Sequence, residues 1–277
     1  METIEFTIKA KDGLKLYAKC WAPVVEPKAV VCLLHGLGEH CGRYPHVAEA
    51  LTEAGYAVLT FDLRGHGQSG GPRGHTPSSE AFLDDIDYLL AEAEKRYPGK
   101  PHFLYGHSLG GLLALFYSLR HKPQVAGVVS TGPGLRSPLI EQKLKVTFAK
   151  LMATVLPTMT VATGLDASSL SHDPQVVQAY RNDPLVHDKA SLAMTSSSIR
   201  AIEWTMEHAK EFELPLLLMH GTADQLTYPS GSQEFAKRVS GNCTLRLWEG
   251  LYHEIHNEPE KDQVIAKIIQ WLDNQLR

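Results

Sequence analysis

One serine in this chain sits where its hydroxyl can act as a nucleophile. Ser108 is the centre of Gly106-His107-Ser108-Leu109-Gly110, between a strand-like run (HFLYG, 102–106) and a helix-like run (LGGLLALFYSLR, 109–120). As five residues alone, G-x-S-x-G is a weak pattern; between a strand and a helix it marks a nucleophile elbow. Such a turn drives the serine backbone into a strained region. The neighbouring segments then pass so closely that a Cβ at 106 or 110 would clash, so glycine is needed at both. The serine also opens a helix, where free N–H groups favour developing negative charge.

A nucleophilic serine needs a base, a carboxylate behind that base and two N–H donors for an oxyanion. At an elbow of this kind the partners follow in the order serine, acid, histidine. Asp224 lies just past the apolar run LPLLLMHG (214–221), and His253 and His256 follow TLRLWEG (244–250). His253 is the preferred base because it lies in the turn directly off the strand, whereas His256 is a helical turn further on. Asp173, Asp183 and Asp188 also follow the serine, but in a segment less suited to anchoring a rigid group. Leu109, directly after the serine, supplies one backbone donor. Leu37, in the His35-Gly36-Leu37-Gly38-Glu39-His40 loop that closes another buried strand, supplies the second.

Two other patterns fail on context. Gly65-His66-Gly67-Gln68-Ser69-Gly70 matches G-x-G-x-x-G and has Asp84 and Asp85 downstream. Pro72, Gly74 and Pro77 nonetheless block an immediate helix, so no helix N-terminus is there to take a pyrophosphate. HEIH at 253–256 lacks the HExxH spacing for zinc. Neither a nucleotide nor a metal is expected, and the chemistry requires no cofactor.

The elements that must hold these groups are legible as apolar periodicity. Residues 4–9 and 14–21 alternate around Lys11-Asp12-Gly13, as in an antiparallel hairpin. AVVCLLHG (29–36), YAVLTFD (56–62), HFLYG, VAGVVST (125–131), LPLLLMHG and TLRLWEG are continuous apolar runs, as in strands buried on both faces. Helical stretches fall near 43–54, 78–96, 109–120, 230–239 and 259–276. Alternating strands and helices predict an α/β fold: a mostly parallel central sheet flanked by helices. With the elbow in place, this is the α/β-hydrolase fold. The alternation breaks between 133 and 205, where two helix-like segments (LIEQKLKVTFAKLMATVL and about 189–205) flank a Pro/Ser/Asp-rich stretch without a strong strand. The expected organisation is a core of 1–132 and 206–277 carrying a mainly helical lid, 133–205.

Bulk properties narrow the partners. A hydrophobic share of 43% and a charged share of 21% suit an ordinary globular protein, and a net charge of −4 offers no footprint for nucleic acid. The four cysteines show no CxxC spacing. With no visible secretory signal and no run of 18 apolar residues, a cytoplasmic location is expected.

Together, HGLGEHCGRY (35–44), FDLRGHGQSGG (61–71), GHSLGG (106–111), HGTADQL (220–226) and YHEIHNE (252–258) resemble the monoacylglycerol lipases. These belong to the serine aminopeptidase and lysophospholipase-like α/β hydrolases. The likeness spans nearly the whole chain and includes Tyr180-Arg181-Asn182-Asp183-Pro184-Leu185 in the lid. It implies Ser108, Asp224 and His253 as a catalytic triad with Leu37 and Leu109 as oxyanion donors. It also implies a polar end for a glycerol moiety, built from Glu39, Arg43, His256 and Tyr180. Thr227 departs from the pattern, since mammalian members carry cysteine there; this bears on thiol-directed inhibition and not on hydrolysis. In the lid, apolar residues at helical spacing accompany Lys143, Lys145 and Lys150. That face can pack on the sheet domain; the resemblance implies that part of it is open, lines an acyl tunnel and makes peripheral contact with lipid surfaces. A lysophospholipase or general carboxylesterase is the alternative enzyme. A hydrolase-type receptor or scaffold is the non-enzymatic alternative, and the intact Ser, Asp and His set argues against a scaffold.

Overall fold

The computed structural model describes residues 1–277, the side chains of Leu139, Lys143, Lys145 and Phe148 excepted. The first hairpin pairs β1 (Glu2–Lys9) with β2 (Lys15–Ala22) and turns at Gly13, whose φ of 83° suits glycine. Then follow β3 (Ala29–Leu34), α1 (Pro45–Glu53), β4 (Tyr56–Phe61), α2 (Ser79–Arg96), β5 (His102–His107), α3 (Leu109–His121) and β6 (Gly127–Thr131). After the lid come β9 (Leu216–Gly221), α8 (Pro229–Arg238), β10 (Cys243–Trp248) and α9 (Lys261–Gln275). These eight strands form one sheet in the order β1-β2-β4-β3-β5-β6-β9-β10, parallel from β4 to β10. The expected α/β-hydrolase architecture is present, with the elbow strand β5 near the middle.

Burial explains why the central strands read as unbroken apolar runs. Along β3, Val30, Cys32 and Leu34 enter the core on one face of the sheet, and Ala29, Val31 and Leu33 enter the core on the other. Alternation persists in space but not in polarity, because both faces are dry. Helix α3 is buried from Leu109 to Leu119, packed against the sheet and covered by the later helix Leu192–Glu207 with α2 beside it, which explains why it is apolar on nearly every side. Local signals fix the ends: Ser78 Oγ accepts from the Ala81 N–H at the start of α2, and Pro45 opens α1.

Between β6 and β9 the chain forms α4 (Pro138–Glu141), α5 (Lys143–Val155), β7 (Thr160–Ala162), α6 (Pro174–Asn182), β8 (Lys189–Ser191) and α7 (Leu192–Glu207). Two features differ from expectation. A short antiparallel ribbon joins β7 to β8, and α6 occupies the Pro/Ser/Asp-rich stretch. The second lid helix starts at Leu192, after the ribbon strand, with Ser191 Oγ accepting from the Met194 N–H. Helix α7 packs onto α2 and α3, with Trp204 edge-on to Phe116, whereas α5 rests on α7. Leu144, Leu151 and Val155 of α5 are 89%, 64% and 67% exposed. Lys150 of α5 is bound by Glu203 of α7 at 2.6 and 2.8 Å; Lys143 and Lys145 lie outside the described side chains.

Candidate active site

The turn between β5 and α3 has the geometry that its glycines demand. Ser108 takes φ 54°, ψ −115°, a conformation that costs an L-residue roughly 1–3 kcal/mol. A Cβ added to Gly106 would lie 2.0 Å from the Gly110 carbonyl oxygen, and one on Gly110 would lie 2.2 Å from that of Leu34. The turn is pinned by the Ser108 N–H donating to the Thr131 carbonyl oxygen of β6 at 2.9 Å.

Three side chains from separate loops at the carboxyl ends of the strands meet there. His253 Nε2 lies 2.8 Å from Ser108 Oγ, and its Nδ1 lies 2.7 Å from Asp224 Oδ2. The carboxylate can only accept, so Nδ1 carries the proton and Nε2 is free to take one from the serine. Burial disfavours a charged His253, yet the charge and hydrogen bond of Asp224 outweigh it and raise the imidazole pKa above its ordinary value. Asp224 is also buried, and His253 and His220 hold its carboxyl well below the usual carboxylate range. The other carboxylate oxygen, Oδ1, accepts the Leu226 and Thr227 N–H groups at 2.8 and 3.0 Å. This arrangement can move a proton from a hydroxyl to an imidazole and stabilise the resulting cation.

The loop after β3 passes directly over the serine, since a Cβ on Gly36 would lie 3.1 Å from Ser108 Cβ. Among the described residues, the N–H groups of Leu37, next to Gly36, and of Leu109, next to Ser108, donate to no protein acceptor. The loop is held from below. The Gly36 N–H donates to Glu39 Oε1 at 2.6 Å, and His35 bridges the Leu63 N–H and the Gly36 carbonyl at 2.8 Å each. Burial keeps His35 neutral by pushing its pKa down to about 3. The G-x-G-x-x-G segment is a second brace. It wraps Asp62, whose oxygens accept the Cys41 and Gln68 N–H groups at 2.8 and 2.7 Å. A Cβ on Gly67 would lie 2.1 Å from Asp62 Oδ2, so these glycines serve a tight turn around a carboxylate.

Arg43 binds Glu39 at 2.7 Å and clasps both oxygens of Glu254 at 2.6 and 2.8 Å, while Tyr180 of α6 stacks its ring 4.7 Å from the guanidinium. Glu39 is 2% exposed, the Arg43 side chain 10% and His256 0%. His256 stacks on Tyr44 at 5.0 Å and meets His107 edge-on at 4.6 Å; neither of its ring nitrogens has a hydrogen-bond partner among the described residues. Burial drives its pKa down to about 3. Glu254, adjacent in sequence to His253, gave no signal of its own, because its partner Arg43 is distant along the chain.

The acids set aside in the lid take other tasks. Asp183 Oδ2 accepts from His40 Nε2 at 2.8 Å, and the His187 N–H donates to the Gly38 carbonyl at 2.9 Å, so the returning lid grips the loop over the serine. Asp173 caps α6 through the Gln175 N–H. Glu39, His107 and Glu254 bring three ligand-type atoms within 4.8 Å of one another, but Arg43 already binds both carboxylates. A groove of about 580 Å³ bordered by Asp87, His102 and His121 lies at the opposite end of α3 from Ser108, roughly 18 Å along the helix axis.

Comparison with known proteins bears on the family and the fold. The serine aminopeptidase S33 family model matches residues 25–260. An uncharacterized abhydrolase domain-containing protein of Dictyostelium discoideum is 40% identical over 96% of this chain, which spans only 28% of that relative's length. A monoacylglycerol lipase of Mycolicibacterium smegmatis is 34% identical over 98% of both chains. The crystal structure of the Paleococcus ferrophilus monoacylglycerol lipase superposes with a TM-score of 0.86 at 36% identity, covering 94% of this chain and 99% of that one. With an elbow serine, an acid and a histidine joined on an eight-stranded sheet, this chain belongs to the serine aminopeptidase S33 family of α/β hydrolases.

Proposed function

We propose that the protein hydrolyses monoacylglycerols to fatty acid and glycerol through an acyl-enzyme on Ser108. The observation that carries the chemistry is the unbroken hydrogen-bond chain from Ser108 through His253 to Asp224. The substrate class rests on the full-length similarity to monoacylglycerol lipases. His253 Nε2 takes the Ser108 proton as Oγ attacks the ester carbonyl. The oxyanion is received by the Leu37 and Leu109 N–H groups, and removing one such donor typically costs about 100- to 1,000-fold in turnover. His253 then protonates the departing glycerol oxygen, and a water activated by the same imidazole releases the fatty acid. Asp224 stays ionised throughout and stabilises the imidazolium.

Arg43 and Tyr180 present the outward edge of the polar end that receives glycerol, and Glu39 and His256 act from behind by holding that wall in place. The lid, 133–205, covers the acyl chain, and the exposed apolar face of α5 meets the lipid surface from which substrate is drawn. The contact in this reading is peripheral; no helix among the described residues is long and apolar enough to cross a membrane. The test is fatty-acid release from mono-, di- and trioleoylglycerol, with lysophosphatidylcholine alongside. Preference for the monoacylglycerol is expected. Faster turnover of trioleoylglycerol or lysophosphatidylcholine would overturn the substrate class and leave the serine chemistry standing.

A further inference from the structure

His220, the penultimate residue of β9, has no exposed surface, and the reaction above gives it no task. Its Nε2 lies 3.0 Å from Asp224 Oδ2 and 2.9 Å from the Thr227 carbonyl oxygen. Both neighbours only accept, so Nε2 carries the proton and is shared between them. Nδ1 is then an acceptor, and the buried Ser232 hydroxyl on α8 donates to it at 2.7 Å. The tautomer is thus fixed from both sides.

Asp224 Oδ2 is the oxygen that accepts the hydrogen bond from His253 Nδ1–H, and its other neighbours are limited. Thr227 Oγ1 lies 2.9 Å away but also 3.0 Å from the Gly132 carbonyl, and its single proton serves one acceptor at a time. His220 is 0% and Asp224 4% exposed, so solvent does not replace a lost donor. We propose that His220 is a positioning residue for the hydrolysis: its Nε2–H fixes the rotation of the Asp224 carboxylate so that Oδ2 faces His253 while the proton moves. The inference rests on the reading of Ser108 as nucleophile.

Two substitutions separate this role from packing. In His220→Asn the amide oxygen reaches the position of Nδ1 and still accepts from Ser232, but the side chain falls short of Asp224. In His220→Gln the longer amide places an N–H near the position of Nε2. With active sites counted by exhaustive fluorophosphonate labelling, kcat per site on 4-nitrophenyl butyrate is expected to fall about 10- to 100-fold in His220→Asn, with KM within about twofold. His220→Gln is expected to recover most of that loss. A purely structural role would lower Tm and labelled fraction in both variants and leave kcat per site alike. Equal kcat per site in the two variants, or a change confined to KM, would overturn the proposal. Ser108→Ala is the control for the underlying reading: if it retains turnover, the nucleophile assignment fails regardless of His220. If it is inactive while the His220 variants match, only the positioning role fails.

Discussion

At the carboxyl edge of the sheet, Asp224 is 4% exposed and ringed by donors from Leu226, Thr227, His220 and His253. On the lid, α5 turns Leu144, Leu151 and Val155 outward, and Met159 beyond it is half exposed. The first region is preorganised: the polar groups are oriented before any substrate arrives, and little water is present to compete. The second leaves apolar side chains exposed, the surface that the proposed contact with lipid would use. The two are mechanically joined, because lid residues Asp183 and His187 hold His40 and Gly38 of the loop over Ser108. Hydrogen bonds are concentrated around the triad, and exposed apolar area on the outer lid helix.

Substitutions sharpen this contrast. Ser108→Ala removes the acyl acceptor and is expected to lower monoacylglycerol turnover by about 10⁴-fold or more, measured as fatty-acid release. Gly38→Ala is next. The residue has φ 77°, and an added Cβ would lie 2.3 Å from the His187 carbonyl, so the loop must shift and Leu37 with it. A loss of about 100-fold in kcat on a soluble ester is expected, with far-UV circular dichroism unchanged. Wild-type kcat there would separate the lid grip from the oxyanion loop.

The pH dependence follows from His253. Its pKa is raised in the folded protein, and only the neutral imidazole accepts the serine proton. The acid limb of kcat/KM is therefore expected above the ordinary imidazole value of about 6.5, falling roughly tenfold per unit below it. An acid limb below that value would show that Asp224 does not govern His253. Stability has the opposite origin. His35 and His256 are buried neutral with pKa values pushed down to about 3, so each releases a proton on folding. Their contribution is full above about 6.5 and is lost as pH falls toward 3; Tm from calorimetry should decline across that window.

The smallest effect belongs to the lid surface. Leu144→Ser with Leu151→Ser removes exposed apolar area that supports no core. Turnover of 4-nitrophenyl butyrate is expected to stay within about twofold, while turnover of monoacylglycerol presented in vesicles falls about fivefold. Equal loss on both substrates would mean that α5 also supports the site beneath it.

Much of this arrangement was legible because it is local. Gly106 and Gly110 flank Ser108 for a steric reason that five residues contain, and the apolar strand runs report burial on both faces. Asp224 and His253 were found by their positions just past strands. Helix α6 was missed although its start is legible, since Asp173-Pro174 is an N-cap followed by a proline in the first turn. The surrounding Ser, Asp and Pro residues masked it. The β7–β8 ribbon is three residues per strand, too short for periodicity to register. The G-x-G-x-x-G segment had its dinucleotide role excluded by its prolines, but nothing local revealed that it folds around Asp62.

The amino-acid sequence by itself determined the sheet architecture, the elbow and the chemical types available at the site, because backbone sterics and apolar periodicity act over a few residues. Only the tertiary structure decided what each polar group does. His253 and His256 are three positions apart and chemically identical, yet one faces a carboxylate and is pushed toward the cation. The other is stacked among rings, its ring nitrogens without a hydrogen-bond partner among the described residues, and held neutral. Arg43 meets Glu254, and His220 meets Asp224, through loops that the sheet brings together. Burial and partnership set a side chain's charge, and both arise from segments far apart in the chain.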